Sequence, residues 1–577
     1  MAIYPRALDY PAPVQDNPAL PRPLSADGFR GVYRDDLAAR AVYSEAAGIA
    51  QVMPRAVAVP VDADDVVALG RWAARTGTPL VPRGSGSSMA GGAIGDGVIV
   101  DLSRLATIAA VSVTHRTIRC GPGALRDAVD AAARAVGLRF PVDPSSGAYC
   151  TVGGMASTNS AGAHTLRYGA MRTWVEALDC VFADGSRAEV RRGAAPPEAA
   201  PLERFLAAAP ALVSAERASP SRHTGVRKES SGYGLAAYAD SGDLVDLVVG
   251  SEGTLALIVG LELRLAPVLA ATASVLGAFA SLDDAVAGAD GARASGASAC
   301  ELLDRTFLDV ARDGGAPVPV GEHTEAVLLA EVEGAGADEV AARARELEAH
   351  FRRAGATEVA VALEVDAEAA MWELRHAASP ILSRLDPALK SMQFIEDGCV
   401  PPDRLADYVR GVRAALDRQG IRGVIFGHAG DAHVHVNPLV DLRDPAWRVR
   451  VEALLDEVTA LSARLGGTLA GEHGDGRLRA PLLARVWPQA TLIRFAAVKR
   501  AFDPDGLLNP GAKIALPGAR AVERVKYDPT LPPLPAEARG ALARVERDRA
   551  YARFRLDLLD DEAGRAPHRL DSPFGGV

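Results

Sequence analysis

Four of the chain's eleven histidines lie between residues 428 and 473, the densest gathering of imidazoles in its 577 residues. Three fall in Gly427-His-Ala-Gly-Asp-Ala-His-Val-His-Val-Asn437 and the fourth in Gly471-Glu-His-Gly-Asp-Gly476. The first run reads as a turn entering a strand. Alternation puts His433, His435 and Asn437 on one face of that strand, with Val434 and Val436 on the other. The second run holds Glu472 and His473 between glycines and follows an amphipathic helix predicted over 444–465. Two imidazoles and one carboxylate make the donor set of a divalent-metal site that keeps a position open. The same residues could instead line a polar pocket through hydrogen bonds alone. Glu472 and His473 are neighbours, so in an extended segment their side chains diverge and can serve different tasks.

A second chemistry resides in Pro82-Arg-Gly-Ser-Gly-Ser-Ser88. Alternating glycines among hydroxyl residues let backbone N–H groups turn inward around an anion such as a diphosphate. An amphipathic helix over 64–76 and a short strand at Leu80 and Val81 precede this loop. The apolar run Val98-Ile-Val-Asp-Leu102 follows it as another strand. That order excludes a dinucleotide fingerprint, whose glycines must open a helix, and no Gly-Lys-Ser/Thr is present for an NTPase loop. A third stretch, Thr151-Val-Gly-Gly-Met-Ala-Ser-Thr-Asn-Ser-Ala-Gly162, carries almost only small side chains and can lie against a flat ligand. Thr151, Ser157 and Asn159 offer it hydrogen bonds.

The length predicts several units rather than one core. A net charge of −10 argues against a nucleic-acid partner. No apolar run reaches the ~18 residues of a membrane span, and the proline-rich start reads as no secretory signal. The five cysteines are scattered, odd in number and without C-x-x-C, which fits a reducing cytoplasm and gives no zinc or iron–sulfur framework. Location at the inner face of a membrane is compatible with this, as is a homo-oligomer or a subunit of a larger complex. Beyond Pro267, strands such as Val327–Val332 alternate with Ala/Glu/Arg helices such as 338–354. That pattern predicts an α+β domain whose sheet is covered on one face. The segment 537–559 reads as one charged helix, either packed on the body or offered to an electron acceptor.

Taken in order, these motifs resemble those of the vanillyl-alcohol-oxidase/PCMH-type FAD flavoproteins. The similar branch contains D-lactate dehydrogenases, D-2-hydroxyglutarate dehydrogenases and the FAD subunit of glycolate oxidase. The resemblance implies a two-lobed α+β PCMH-type FAD-binding domain at 50–267 and an FAD-linked oxidase C-terminal domain at 268–515. A lead-in at 1–49 and a linker with helical extension at 516–577 flank them. It implies non-covalent FAD on Arg83, Gly84, Ser85, Gly86, Ser87 and Ser88, on Pro144, Thr151, Gly153, Gly154, Ser157 and Asn159, and on Glu252 and Gly253 of Gly250-Ser-Glu-Gly-Thr-Leu255. Asn509, in Phe502-Asp-Pro-Asp-Gly-Leu-Leu-Asn-Pro-Gly511, would approach the flavin.

The same resemblance implies zinc or manganese on His428, His435 and Glu472, with His473 as catalytic base. His433 stands where the family has asparagine; it could replace His435 as ligand, add a base or hydrogen-bond. Arg375 in Trp372-Glu-Leu-Arg375, with Ser379 and Asn437, would bind the substrate carboxylate. The implied reaction oxidises a small D-2-hydroxy acid, D-lactate or glycolate, to the 2-oxo acid. Electrons would pass to an external quinone, cytochrome, flavoprotein or iron–sulfur subunit. Alternatives are D-2-hydroxyglutarate oxidation, for which Ile395 replaces a family lysine, and a non-catalytic FAD subunit that relays electrons.

Overall fold

The structure is a computed structural model that describes residues 28–376 and 388–563. Asp62 opens the helix Ala63–Thr76 by accepting from the N–H groups of Asp64 and Asp65, and Gly77 ends it at φ +65°. Its apolar stripe, Val66, Leu69, Trp72 and Ala73, packs on Ala56, Ala58, Leu80, Val98 and Val100. These belong to strands Ala56–Val59, Leu80–Arg83 and Val98–Asp101, with the last lying between the other two and parallel to both. Residues 84–97 therefore cross between parallel neighbours without a helix, and the glycine loop occupies the start of that crossing. Strand Val32–Arg34 adds antiparallel to Ala56–Val59, so the lead-in shares this sheet.

The second lobe is an antiparallel sheet in the order Thr117–Cys120, Leu257–Arg264, Val175–Val181, Arg187–Arg191. Its hairpin turns at Gly185, φ +77°. The small-residue stretch folds as a short helix, Val152–Thr158, capped by Thr151 and closed by Asn159 in the left-handed region.

The third unit is one antiparallel sheet of eight strands. Ala271–Phe279 and Ala299–Asp304 flank Ala326–Gly334, which pairs antiparallel with both. Helix Leu282–Ala294 joins the flanking pair, a split βαβ arrangement. Strands Arg422–His428 and His433–Asp441 extend the same sheet, so the histidine run belongs to this unit. The expectation of a sheet covered on one face is corrected. Helices Arg305–Asp313 and Val365–His376 put Phe307, Leu308, Val310 and Leu374 against Leu276, Leu303, Val327 and Leu329. Leu302, Leu328 and Ala330 point to the larger core opposite. Alternating apolar residues along these strands serve both faces, which the run of apolar letters hides.

The C-terminal segment is two helices, Ala536–Asp548 and Arg555–Ala563, and not one. Arg549 breaks the run in the left-handed region, φ +51°. Among the described residues no helix is long and apolar enough to cross a membrane.

The Phe502–Gly511 turn is fastened to the second lobe by Lys499. Its ammonium donates to Asp503 Oδ2 at 2.5 Å and to the carbonyls of Thr254 and Leu508 at 2.8 Å. Lys499 and Asp503 are both fully buried. Lys499→Met would leave a buried carboxylate without its cation, at a cost of about 3–5 kcal/mol. It is expected to lower the urea midpoint clearly; an unchanged midpoint would show that this turn is held by other contacts.

Candidate active site

A cavity of about 1290 Å³ runs from the glycine loop to the histidine cluster. It exceeds the roughly 300–1,000 Å³ of a drug-sized pocket, leaving room for a dinucleotide and a small substrate. Arg83, Gly84, Ser85, Gly86, Ser87, Ser88, Pro144, Thr151, Gly153, Gly154, Ser157, Glu252 and Gly253 all line it. So do Arg375, His428, His435, Asn437, Glu472 and His473.

The loop is shaped for an anion. Its carbonyls are engaged from outside, Gly86 by Ala47 N–H at 3.0 Å and Ser88 by Gly48 N–H at 3.2 Å. The N–H groups of Gly84 to Ser88 make no hydrogen bond among the described residues. Arg83 is buried, and its Nε and Nη2 have no partner among them either. A cradle of unsatisfied donors backed by a buried guanidinium fits the diphosphate of FAD.

At the far end, three donor atoms converge. His428 Nε2 and His435 Nε2 stand 3.4 Å apart, and Glu472 Oε1 lies 3.5 Å and 3.2 Å from them. Tetrahedral donors at zinc-bond lengths would sit about 3.4 Å apart. The opposite ring nitrogens face hydrogen-bond acceptors: His428 Nδ1 reaches Glu301 Oε1 at 2.6 Å, and His435 Nδ1 reaches the Glu396 carbonyl at 2.9 Å. Nδ1–H donation to these acceptors turns both Nε2 lone pairs to the common centre, the usual support of metal-bound histidine. The set fits a divalent ion with N/O preference, zinc or manganese.

Lys228 holds the carboxylate from behind. Its buried ammonium donates to Glu472 Oε2 at 3.1 Å and to the Gly162 carbonyl at 2.9 Å. Burial opposes ionisation of Glu472, but Lys228 and His428 outweigh it and hold the carboxyl well below the usual range. His433 adjoins this set, its buried Nδ1 without a hydrogen-bond partner among the described residues. Its Nε2 pairs with Asp397 Oδ1 at 2.8 Å, its Nδ1 lies 3.9 Å from Glu472 Oε2, and burial lowers it to about 3, so the ring is neutral. Asp397 also accepts the N–H groups of Glu472 at 3.1 Å and His473 at 2.9 Å, fixing their backbone.

His473 Nδ1 pairs with Glu396 Oε2 at 2.6 Å, and its Nε2 lies 3.6 Å from Glu472 Oε1. Burial lowers the affinity of this ring for a proton, but Glu396 and Asp397 outweigh it and raise His473 to about 9. Glu396 is balanced in turn by the buried Arg479.

Four expected contacts need correction or fall elsewhere. Asn159 does not line the cavity: its backbone N–H closes the helix Val152–Thr158, and its Oδ1 accepts from Arg172 N–H at 2.9 Å. Asn509 is also buried away from it, its Nδ2 donating to the carbonyls of Gly92 and Glu252 and its Oδ1 accepting from Arg477. Arg375 faces the cavity, yet its Nε already pairs with Glu301 Oε2 at 2.7 Å. Ser379 lies outside the described residues. Glu252 lines the cavity while its carboxylate accepts from the Asp475 and Gly476 N–H groups and pairs with Lys513.

Lys228, Glu301, Glu396 and Asp397 gained no role from sequence reasoning. Glu301 carried a signal, being a carboxylate set among apolar residues in the middle of strand Ala299–Asp304, where an unpaired charge is costly. Glu301→Gln is expected to weaken uptake of added Zn²⁺ or Mn²⁺ by about 10–100-fold, read by competition with a chelating dye, with FAD content unchanged. Undiminished uptake would mean that His428 needs no carboxylate to orient it.

Residues 54–191 match the model described as "FAD binding domain", and residues 269–512 the model "FAD linked oxidases, C-terminal domain". The chain is 31% identical over 538 residues to a D-2-hydroxyglutarate dehydrogenase of Pseudomonas putida, covering 88% of this chain and 52% of that protein. It thus spans about half the length of that relative and of its Escherichia coli counterpart. A glycolate oxidase subunit GlcD of Bacillus subtilis is 29% identical, with 84% and 94% covered. A D-lactate dehydrogenase of Archaeoglobus fulgidus is also 29% identical, with 80% and 92% covered. The fold is shared with 4-ethylphenol oxidase from Gulosibacter chungangensis, with a TM-score of 0.62 at 17% identity over 84% of this chain and 94% of that one. With its two-lobed PCMH-type FAD-binding domain followed by an α+β oxidase domain, this chain belongs to the FAD-linked oxidases.

Proposed function

We propose that the chain oxidises a small D-2-hydroxy acid, D-lactate or glycolate, to the 2-oxo acid and passes the electrons to an external acceptor. The observation that carries this reading is the meeting of His428 Nε2, His435 Nε2 and Glu472 Oε1, with His473 beside them, in the cavity that the glycine loop opens into. The relatives named for D-lactate, glycolate and D-2-hydroxyglutarate support the substrate class.

Bound FAD would accept the two electrons that the alcohol carbon gives up. A divalent ion on His428, His435 and Glu472 would supply Lewis acidity to the hydroxyl and repel the His473 proton. His473 Nε2 then takes the hydroxyl proton, while Glu396 at Nδ1 holds the ring in orientation. Arg375 and Asn437 bind the carboxylate, with Glu301 keeping Arg375 in place. Two electrons and two protons leave the substrate, one of the protons through His473.

A second reading, D-2-hydroxyglutarate, draws on Lys390. It lines the cavity and stands 5.4 Å over the Tyr527 ring, a cation available to a distal carboxylate. Anaerobic bleaching of the flavin by a panel of D- and L-acids of different length separates these substrates. If no 2-hydroxy acid bleaches it, an electron-relay subunit is the better account.

Non-covalent attachment is supported by the residues near the glycine loop. Serines occupy positions 87 and 88, and burial raises the Cys150 thiol to about 11, keeping it protonated. Acid precipitation is therefore expected to leave all yellow colour in the supernatant, and colour in the pellet would contradict it. His473→Ala is expected to lower kcat by roughly a hundredfold or more with FAD and metal contents unchanged; retention of the rate would remove His473 from the chemistry.

A further inference from the structure

The helical pair at the C-terminus covers the strands that carry the glycine loop. Ala538, Ala541, Val545, Leu556, Leu558 and Leu559 pack with Val57, Val59, Val81 and Ile99. Arg555 enters beneath the loop, 3% exposed, and donates Nη2 to the Ser85 carbonyl at 3.4 Å. Its Nε and Nη1 have no hydrogen-bond partner among the described residues, as is true of Arg83 Nε and Nη2 nearby. Two buried guanidiniums thus stand behind one loop. Asp101 is the acid close to both, and its oxygens already accept from Tyr43 Oη at 2.5 Å and Ser103 N–H at 2.9 Å. Burial, then Arg83, lowers Arg555 to about 10. Glu45 also acts on Arg83, and the guanidinium N–H groups left without a partner among the described residues fit an anion. Beside the loop, Ala543, Glu546, Arg549 and Tyr551 form part of the cavity wall, with the Tyr551 ring centroid 5.5 Å from that of Tyr149.

We propose that the C-terminal helices are a working part of the FAD site. Arg555 is a positioning residue that fixes the glycine loop by its Ser85 carbonyl and adds charge for the FAD diphosphate, and Tyr551 closes the wall. Helix burial and cofactor retention are then one event: the extension cannot leave without uncovering the loop. The inference rests on FAD binding and is independent of the substrate.

The test uses holoenzyme of the full chain. Arg555→Ala is expected to speed FAD release, read as recovery of flavin fluorescence after dilution, by at least about tenfold, and Arg555→Lys to restore part of the loss. Affinity for riboflavin, which has no phosphate, should stay as in the parent when both are titrated into flavin-stripped protein. Release at the parental rate, or equal weakening of FAD and riboflavin, would overturn the proposal. Should Arg555→Ala not fold, Arg555→Gln is put through the same comparison and judged by the same outcomes. Tyr551→Ala is expected to speed FAD release; an unaltered release rate would remove Tyr551 from the wall.

Discussion

The Glu472 carboxylate is where three parts of the chain meet. One oxygen faces His435 and His428 at 3.2 Å and 3.5 Å, and the other faces Lys228 at 3.1 Å. Lys228 also grips the Gly162 carbonyl, at the end of the small-residue stretch that lines the flavin cavity. A single buried ammonium thus ties the flavin-side backbone to the donor set at atomic distances. Where a misplacement of about 1 Å can cost a hundredfold in rate, such a tie decides whether cavity and cluster act together.

The loop bearing Glu472 is clamped from its other end as well. Glu252 receives the Asp475 N–H at 2.6 Å and the Gly476 N–H at 2.9 Å, and Lys513 balances its charge at 3.0 Å. The glycines around Glu472 follow from this crowding. A Cβ at Gly471 would lie 2.6 Å from the His433 ring, and one at Gly474, φ +80°, 2.5 Å from Glu252 Oε1. Ionic side chains here are buried in groups that neutralise one another, which is how charges persist away from water.

Much of this was legible in the chain. The strand–loop–strand order at 80–101 follows from apolar runs around a glycine-rich turn, and alternation put His433, His435 and Asn437 on the face opposite Val434 and Val436, which enter the core. What escaped were partners distant in sequence. Glu301 serves His428 from another strand of the sheet, and Asp397 orders the backbone of residues 472 and 473. Hydrogen bonds of that kind leave no period or spacing to read. Asn159 and Asn509 misled for a related reason: asparagine in a loop serves the backbone as readily as a ligand. The C-terminal segment read as one charged helix, packed on the body or offered to an acceptor, because no period in its letters marks the left-handed break at Arg549.

The most direct measurement is anomalous diffraction from crystals of the flavin-loaded protein grown with zinc or manganese. The account predicts one strong peak within about 2.3 Å of His428 Nε2, His435 Nε2 and Glu472 Oε1. A flavin-bound crystal with no peak there, or with the ion held by other residues, would contradict it.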